Sequence, residues 1–235
     1  MVSKTQKHVL ITGTNRGIGL GLVKAYLNDG WRVSACCRSP EDAIELTSLM
    51  ELDDDLAVYG LDVTNYDEIQ SLASALQGVP LDLLINNAGY YGPKGVSFGN
   101  TNVSEWEKVF AVNTIAPQKM AEAFHPNLCL ADCACIANMS SKVGSMEDNH
   151  SGGGYLYRSS KAALNSVTKS QSLDLAEDDI IVVALHPGWV LTDMGGPNAL
   201  IDIEASVIGL KRILDTISPL NTGSFIDFSG QEIPW

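Results

Sequence analysis

Positively charged residues are scarce in this sequence. It contains 15 lysines and arginines against 28 aspartates and glutamates, which gives a formal net charge of −13 at pH 7. A surface of that sign repels phosphate backbones and anionic lipid headgroups. The composition therefore argues against nucleic acid and membrane partners, and any phosphorylated ligand needs a local cluster of positive charge.

Long apolar runs are absent as well. No stretch approaches the roughly 20 consecutive apolar residues that a membrane-spanning helix requires. The segment from Met1 to Lys7 is polar, so we expect no secretory signal peptide. Both observations predict a cytoplasmic protein.

Cysteine is infrequent, and its positions form no recognisable cross-linking pattern. Cys36 and Cys37 are neighbours, which disfavours a disulfide between them, and Cys129, Cys133 and Cys135 contain no CxxC pair. We expect no histidine to complete a metal site around the latter three. The cysteines are therefore interpreted as free thiols, with no metal bound.

Strand-like and helix-like segments alternate along the chain. Its 235 residues suit one large domain, and 45% hydrophobic residues allow a full core. Such alternation is typical of a parallel sheet with helices on both faces, here a doubly wound α/β fold of about seven strands. Strands are predicted at 8–12, 31–37, 56–61, 81–85, 133–139, 180–185 and 224–228, and helices at 18–28, 40–50, 65–76, 103–112, 117–124, 155–176 and 203–217.

A glycine-rich turn follows the first predicted strand and opens the first predicted helix. Glycines here allow a tight turn, close approach of the backbone to a pyrophosphate, and close packing of helix on strand. Free amides at the helix N-terminus then face the phosphates. This context indicates a single-domain Rossmann fold that binds a dinucleotide through Gly13, Thr14, Asn15, Arg16, Gly17, Ile18 and Gly19.

Tyr157 and Lys161 stand four residues apart in a predicted helix. Side chains at this spacing share one helix face, about 5–6 Å apart at Cβ. A free tyrosine has a pKa near ~10, and an adjacent ammonium can lower it by about 1–3 units. Tyr157 is therefore predicted to be a general acid/base. Tyr155 is a poorer candidate because Ser159, and no lysine, follows it by four.

Several further motifs follow in an order typical of one enzyme family. They are Leu61-Asp62-Val63-Thr64, Asn86-Asn87-Ala88-Gly89, Asn113, Ser140-Ser141, Tyr157-x-x-x-Lys161, and Pro187-Gly188 with Thr192. With the glycine turn, they make the chain resemble the short-chain dehydrogenase/reductase family over essentially its whole length. The ending, residues 228–235, is similar to the C-factor/sniffer-like carbonyl reductase branch.

The resemblance implies residue roles within one domain, 1–235. The implied catalytic residues are Asn113, Ser141, Tyr157 and Lys161. Ser140 is the alternative to Ser141, which is preferred because Gly144 follows it by three. The implied cofactor contacts beyond the glycine turn are Arg38, Asp62, Val63, Asn87, Ala88, Gly89, Tyr157, Lys161, Pro187, Gly188, Val190 and Thr192, and the implied substrate contacts are Ser141, Trp189 and Met194.

Several of these roles have structural alternatives. Trp189 and Met194, implied to flank the substrate, can instead be part of the core packing. Asp62, implied to bind the adenine amino group, can instead stabilise the following turn. Asn113, implied to hold a water that links Lys161 to solvent, can instead satisfy backbone groups through its side chain.

The second predicted strand ends without a carboxylate. An acidic residue there would bind the ribose hydroxyls of NAD, but the sequence reads Ala35-Cys36-Cys37-Arg38-Ser39. Arg38 and Arg16 can instead provide charge-assisted donors for a 2′-phosphate. Although both can also be ordinary surface charges, their placement predicts NADP(H) over NAD(H).

The predicted function is NADPH-dependent reduction of aldehydes or ketones to alcohols, with Tyr157 donating the proton. The alternative is an NAD(P)-binding signalling protein with little catalysis. An epimerase or dehydratase would need a C-terminal substrate domain that the residues after Thr192 cannot form. The resemblance further implies a homodimer or homotetramer.

Two loops should shape the substrate site. The segment 146–154 is longer than is usual in the family and should border the active site, with His150 more often solvated than bound to substrate. Only about ten residues separate Thr192 from the helix predicted at 203, and a lid that short predicts an open pocket and high KM values.

Overall fold

The structure, a computed structural model, describes residues 6–235; most of the polar segment Met1 to Lys7 lies outside the described residues. Seven parallel strands form one sheet in the order β3-β2-β1-β4-β5-β6-β7. They are β1 (His8–Thr12), β2 (Arg32–Cys37), β3 (Leu56–Gly60), β4 (Leu83–Asn86), β5 (Cys135–Met139), β6 (Ile181–His186) and β7 (Phe225–Asp227). The predicted doubly wound parallel sheet of about seven strands is confirmed.

Helices cover both faces of this sheet. They are α1 (Gly17–Asn28), α2 (Ile44–Met50), α3 (Tyr66–Ala75), α4 (Val103–Phe110), α5 (Ala116–Leu128), α6 (Tyr155–Asp174) and α7 (Ile203–Thr216). In the part of the chain described, no helix is both long and apolar enough to cross a bilayer.

The strands explain the two separate cores. Successive side chains of a strand point to opposite faces. Val9 and Ile11 of β1 therefore join the cluster that contains Tyr26 of α1, whereas Leu10 joins the cluster that contains Phe124 of α5. Because both faces are covered, β1 is entirely buried, which accounts for the apolar run Val9-Leu10-Ile11 at its centre.

The structure differs from the prediction around the fourth and fifth helices. The two predicted segments are joined by a π-helical turn, Ala111–Ile115, which makes them one continuous helical stretch. Pro117 has no N–H to give to the carbonyl of Asn113 in an α-helical pattern, which favours a local change of hydrogen bonding. The predicted helix 40–50 also differs, since a short 3-10 turn at Pro40–Asp42 precedes α2.

Candidate active site

The predicted site residues collect at one edge of the sheet. Asn87 follows β4, Ser140 and Ser141 follow β5, and Pro187 follows β6, so all lie at the carboxyl ends of parallel strands. After β3 the chain returns to the middle of the sheet and continues on the other side of β1, so the two halves of the sheet meet between β1 and β4. Ligands of open α/β sheets bind beside such a switch point. The N-terminal half of α6 brings Tyr157 and Lys161 to the same edge.

The glycine turn has the shape that a dinucleotide phosphate needs. Gly13 has φ +71° and Gly17 has φ +60°, a backbone conformation that favours glycine. A Cβ on Gly19 would stand 2.2 Å from the carbonyl oxygen of Gly13, so a side chain there would push the turn away from α1. Among the described contacts, no side chain caps the N-terminus of α1, which leaves its first amides to face an anion.

Asn87 joins the glycine turn to the end of β4. Its Nδ2 donates to the carbonyls of Thr12, at 2.9 Å, and Gly13, at 3.0 Å. The hydroxyl oxygen of Thr12 accepts from the backbone amides of Asn87 and Ala88 at 3.1 and 3.0 Å. These bonds hold the start of the segment after β4 against the turn, beside the predicted cofactor surface.

Two predicted cofactor residues have structural duties in this molecule. The Thr14 side chain is fully buried and donates to the carbonyl of Cys36 at 3.0 Å, so it fixes the turn onto β2. Asp62 Oδ1 accepts from the amide of Thr64 at 2.9 Å and its hydroxyl at 2.7 Å, the turn role foreseen as the alternative. The side chain of Val63 is buried in the adjoining core.

Tyr157 and Lys161 meet as the helical spacing predicted. Lys161 Nζ lies 5.6 Å from the centre of the Tyr157 ring and donates to the carbonyl of Met139 at 2.7 Å. Burial raises the pKa of Tyr157 to about 12, although a hydrogen bond with Ser141 opposes the rise. Burial also lowers the pKa of Lys161 to about 7.

The predicted lowering of the Tyr157 pKa by Lys161 is therefore wrong for this structure. Lys161 is itself buried, and the loss of its hydration favours the neutral amine. A lysine with a pKa of about 7 is only about half protonated at neutral pH, so it stabilises a phenolate less than a permanent ammonium would. Near neutral pH, Tyr157 holds its proton and can donate it.

The two serines after β5 are distinguished by their partners. Ser140 Oγ donates to Asn165 Oδ1 at 2.5 Å, and both residues are buried. The Ser141 side chain instead lies close enough to Tyr157 to oppose the rise of the tyrosine pKa. The hydroxyl of Ser140 is thus bonded within the protein interior, whereas that of Ser141 lies beside Tyr157, so Ser141 stays the preferred candidate.

Asn113 lies in the π-helical turn and is fully buried. Its Nδ2 donates to the Tyr90 carbonyl at 2.9 Å and to Ser160 Oγ at 3.0 Å, and its Oδ1 accepts from the Tyr90 amide at 2.8 Å. The side chain therefore satisfies backbone groups, as the alternative interpretation held. Both of its N–H donors are used, so a water relay through this side chain can use only the remaining lone pair of Oδ1.

The segment after β6 closes the nicotinamide side of the predicted site. Gly188 has φ +88°, and a Cβ there would lie 2.5 Å from Ile201 Cδ1. Thr192 Oγ1 donates to the carbonyl of Val190 at 3.3 Å, and the Pro187 carbonyl accepts from Ser206 at 2.6 Å. These contacts fix the predicted cofactor-facing backbone on α7 and on the turn itself.

The short lid is ordered by its own hydrogen bonds. Trp189 Nε1 donates to the carbonyl of Gly195 at 2.8 Å. Trp189 and Met194 are 49% and 41% exposed, so both predicted substrate contacts have surface free for a ligand.

The two arginines predicted to select NADP(H) are both exposed at this edge. Arg38 follows β2, and Arg16 lies in the glycine turn next to the equally exposed Asn15. Arg16 Nε lies 3.3 Å from Asp193 Oδ2, so the lid and the glycine turn are joined by an ion pair. This pair could not be predicted from local patterns, because its members are far apart in the chain.

Tyr91 is a site residue that the sequence analysis missed. Its ring centre lies 4.8 Å from that of Tyr157, with the planes tilted by 34°. Its position two residues after Gly89, at the carboxyl end of β4, was the available signal. The aromatic ring adds an apolar surface beside Tyr157.

The long loop 146–154 is fixed at both ends. The amides of Met146 and Glu147 donate to the carbonyl of Trp235 at 3.1 and 3.3 Å, and Arg158 Nη2 donates to Ser151 at 2.9 Å. His150 is exposed, in keeping with the solvated interpretation.

The expectation that no histidine accompanies the exposed cysteines is wrong. His125 precedes Cys129 by one helical turn, and its Nε2 lies 3.4 Å from Cys129 Sγ. Asp178, from a distant part of the sequence, completes a group of three potential metal ligands.

Comparison with known proteins agrees with this architecture. A family model described as short chain dehydrogenase matches residues 7–199. The chain is 40% identical over 156 residues to C-signal of Myxococcus xanthus, a match that covers 66% of this chain and 93% of the relative.

Solved structures agree as well. Carbonyl reductase Sniffer of D. melanogaster superposes with a TM-score of 0.93 at 35% identity, covering 98% of this chain and 100% of that one. The NADPH-bound carbonyl reductase from chicken fatty liver gives 0.92 at 37% identity, covering 98% and 99%. The chain therefore belongs to the short-chain dehydrogenase/reductase family, in its carbonyl-reductase-like branch.

Proposed function

We propose that this oxidoreductase reduces aldehydes or ketones to alcohols with NADPH. The observation that carries the proposal is the meeting of Tyr157, Lys161 and Ser141 at the sheet edge that also holds the glycine turn. The cofactor site and the acid/base site then belong to one domain, residues 1–235.

The chain's own residues support the reducing direction. When bound, NADPH supplies the hydride that adds to a carbonyl carbon. Ser141 donates to the substrate oxygen and stabilises the negative charge that develops there. Tyr157, whose pKa burial raises to about 12, is protonated at neutral pH and donates its proton to that oxygen. Lys161 lies beneath the Tyr157 ring and, in the proposed complex, would also contact the nicotinamide ribose.

The preference for NADP(H) rests on charge. The end of β2 presents Arg38 and no carboxylate, and Arg16 stands in the adjacent turn. In a chain of net charge −13, cations at this position favour a ligand with an additional phosphate. The NADPH-bound relative from chicken fatty liver is consistent with this choice.

The substrate surface is apolar and open. Tyr91 stands beside Tyr157, and the half-exposed Trp189 and Met194 lie on the short lid. Such a surface suits uncharged carbonyl compounds with an aryl or alkyl substituent, and it offers few remote contacts. We therefore predict broad acceptance of aldehydes, α-diketones and aryl ketones, with high KM values.

The test is consumption of NADPH and of NADH with a panel of these carbonyl compounds. Tyr157→Phe should abolish turnover and leave NADPH binding within a few fold, because only the hydroxyl is removed. Tyr155→Phe is the matched control, since it makes the same change two residues earlier in α6, and it should keep most of the activity. Full activity in Tyr157→Phe would refute the proposal.

A signalling or interaction role is the second candidate, favoured by the 40% identity to C-signal. Tight NADPH binding without turnover on any member of the panel would support it. A homodimer or homotetramer and a cytoplasmic location stay predictions.

A further inference from the structure

Three side chains with metal-binding chemistry meet on the surface away from the active site. His125 and Cys129 lie one turn apart at the C-terminal end of α5, and Asp178 lies in the short 3-10 turn Ala176–Asp178. Their ligand atoms all lie within 4.8 Å of one another. The α5 end leads into β5 and the 3-10 turn leads into β6, so the group stands at the amino ends of the strands, opposite the catalytic edge.

The distances within the group are close to those of a metal centre. His125 Nε2 lies 2.8 Å from Asp178 Oδ2 and 3.4 Å from Cys129 Sγ. In a tetrahedral zinc site, bond lengths of about 2.0–2.3 Å place nitrogen about 3.4 Å from oxygen and about 3.6 Å from sulfur. Small rotations of the side chains therefore suffice to admit the ion. The side chains of His125 and Asp178 are both partly exposed, which leaves them free to rotate in this way.

The spacing within the chain is also that of a metal site. Two ligands at i and i+4 on one helix face the same ion, as in helical zinc motifs, and a third ligand comes from a separate element. A thiolate, a carboxylate and an imidazole carry two negative charges, which match a divalent cation. Sulfur and nitrogen donors select zinc over the hard cations magnesium and calcium.

We propose that His125 Nε2, Cys129 Sγ and an Asp178 carboxylate oxygen bind one zinc ion, with water as the fourth ligand. The ordinary alternative is a surface ion pair between His125 and Asp178, in which Cys129 has no part. The role of the Cys129 thiol therefore distinguishes the zinc site from the simple pair of His125 and Asp178. A bound ion would fasten the end of α5 to the segment before β6 and would stabilise the folded state by mass action.

The decisive experiment measures zinc binding to the whole chain after removal of metals with a chelator. Equilibrium dialysis against Zn²⁺, followed by elemental analysis, should give about one ion per chain, the stoichiometry of a single three-ligand site. Cys129→Ser and His125→Gln should each weaken binding by at least about tenfold, since even partners outside the ligand shell contribute that much. Cys133→Ser is the matched control, because Cys133 is also an exposed free thiol but lies outside the group, and it should bind zinc as the wild type does.

A spectroscopic readout tests the ligand directly. Co²⁺ added to the metal-free protein should produce a sulfur-to-cobalt charge-transfer band that is present in Cys133→Ser and absent in Cys129→Ser. Substoichiometric zinc in the wild type, or equal zinc affinity in Cys129→Ser, would overturn the site. NADPH-dependent turnover should be the same in all these variants, so failure of the zinc site and failure of the proposed reductase activity are separate outcomes.

Discussion

Lys161 Nζ lies 5.6 Å from the centre of the Tyr157 ring; Lys161 is buried and Tyr157 is partly buried, so loss of hydration shifts the pKa of both groups. Desolvation lowers the pKa of Lys161 to about 7 and raises that of Tyr157 to about 12. Near neutral pH the pair thus carries a protonated tyrosine and a lysine close to its midpoint. The protonation state of Lys161 can therefore be measured through the pH dependence of the free energy of unfolding.

We expect the unfolding free energy of the wild type to rise with pH more steeply than that of Lys161→Met. The folded state has its lysine neutral above a pKa of about 7, whereas the unfolded chain keeps the ordinary value of 10.5. Between about pH 8 and 9 the unfolded chain therefore binds one more proton, which adds about 1.4 kcal/mol of stability per pH unit. Urea unfolding at several pH values measures the slope.

Lys94→Met is the control for this slope, because Lys94 is exposed. Its removal should leave the wild-type dependence on pH unchanged. Parallel stability curves for the wild type and Lys161→Met would mean that Lys161 stays charged in the folded state.

The two serines after β5 should respond oppositely to substitution. Ser141→Ala removes a donor to the substrate oxygen, so kcat/KM should fall by about 10²–10³-fold with little change in stability. Ser140→Ala removes the 2.5 Å bond to Asn165 and leaves that buried oxygen without a partner, which should cost about 1–3 kcal/mol of stability. Steady-state kinetics and urea unfolding on both variants give the comparison. A larger fall in kcat/KM for Ser140→Ala than for Ser141→Ala would mean that Ser140, and not Ser141, donates to the substrate oxygen.

Asn113→Ala should affect stability as well as activity. The substitution breaks both side-chain bonds to the Tyr90 backbone, and the loss of each part-buried bond should cost about 1 kcal/mol of stability. Displacement of Tyr90 would also move the neighbouring Tyr91 ring away from Tyr157, which should raise KM. Ser160→Ala breaks the third bond of Asn113 and the bond from Ser160 to the Tyr157 carbonyl, but it keeps the Tyr90 contacts, so its KM should stay close to that of the wild type. Equal KM values in both variants would contradict this role for Asn113.

Local patterns were enough to predict the fold and the proximity of Tyr157 and Lys161. The buried β1, the glycine turn and the i, i+4 spacing of Tyr157 and Lys161 each depend on residues close in sequence. The low pKa of Lys161 was not predictable, because it depends on how deeply the assembled fold buries the amine. The π-helical turn, Ala111–Ile115, is similar, since Pro117 marks an interruption without specifying its geometry.

Contacts between segments that are far apart in the sequence could not be predicted either. Asp178 joins His125 across 53 residues, and no period or spacing links the two. Tyr91 could have been placed at the sheet edge from its position after β4, but its contact with Tyr157 requires the packed structure.

The ion pair between Arg16 and Asp193 should reduce the affinity for NADPH. Asp193 pairs with the Arg16 guanidinium, which we assign to the 2′-phosphate, at an Nε–Oδ2 distance of 3.3 Å. Asp193→Asn should therefore lower the dissociation constant of NADPH more than that of NADH. Since the two side chains are 71% and 77% exposed, solvent screens the pair, and we expect a change of at most about fivefold.

A double-mutant cycle tests whether this effect passes through Arg16. In an Arg16→Ala background, Asp193→Asn should no longer favour NADPH, because no guanidinium is left to be released. The affinities can be measured by titrating the quenching of protein fluorescence with each cofactor at low and high salt, and the gain should shrink as salt increases. If Asp193→Asn improves NADPH binding equally in both backgrounds, the carboxylate acts by repelling the cofactor's phosphates directly. The selectivity for NADPH would then have to come from Arg38.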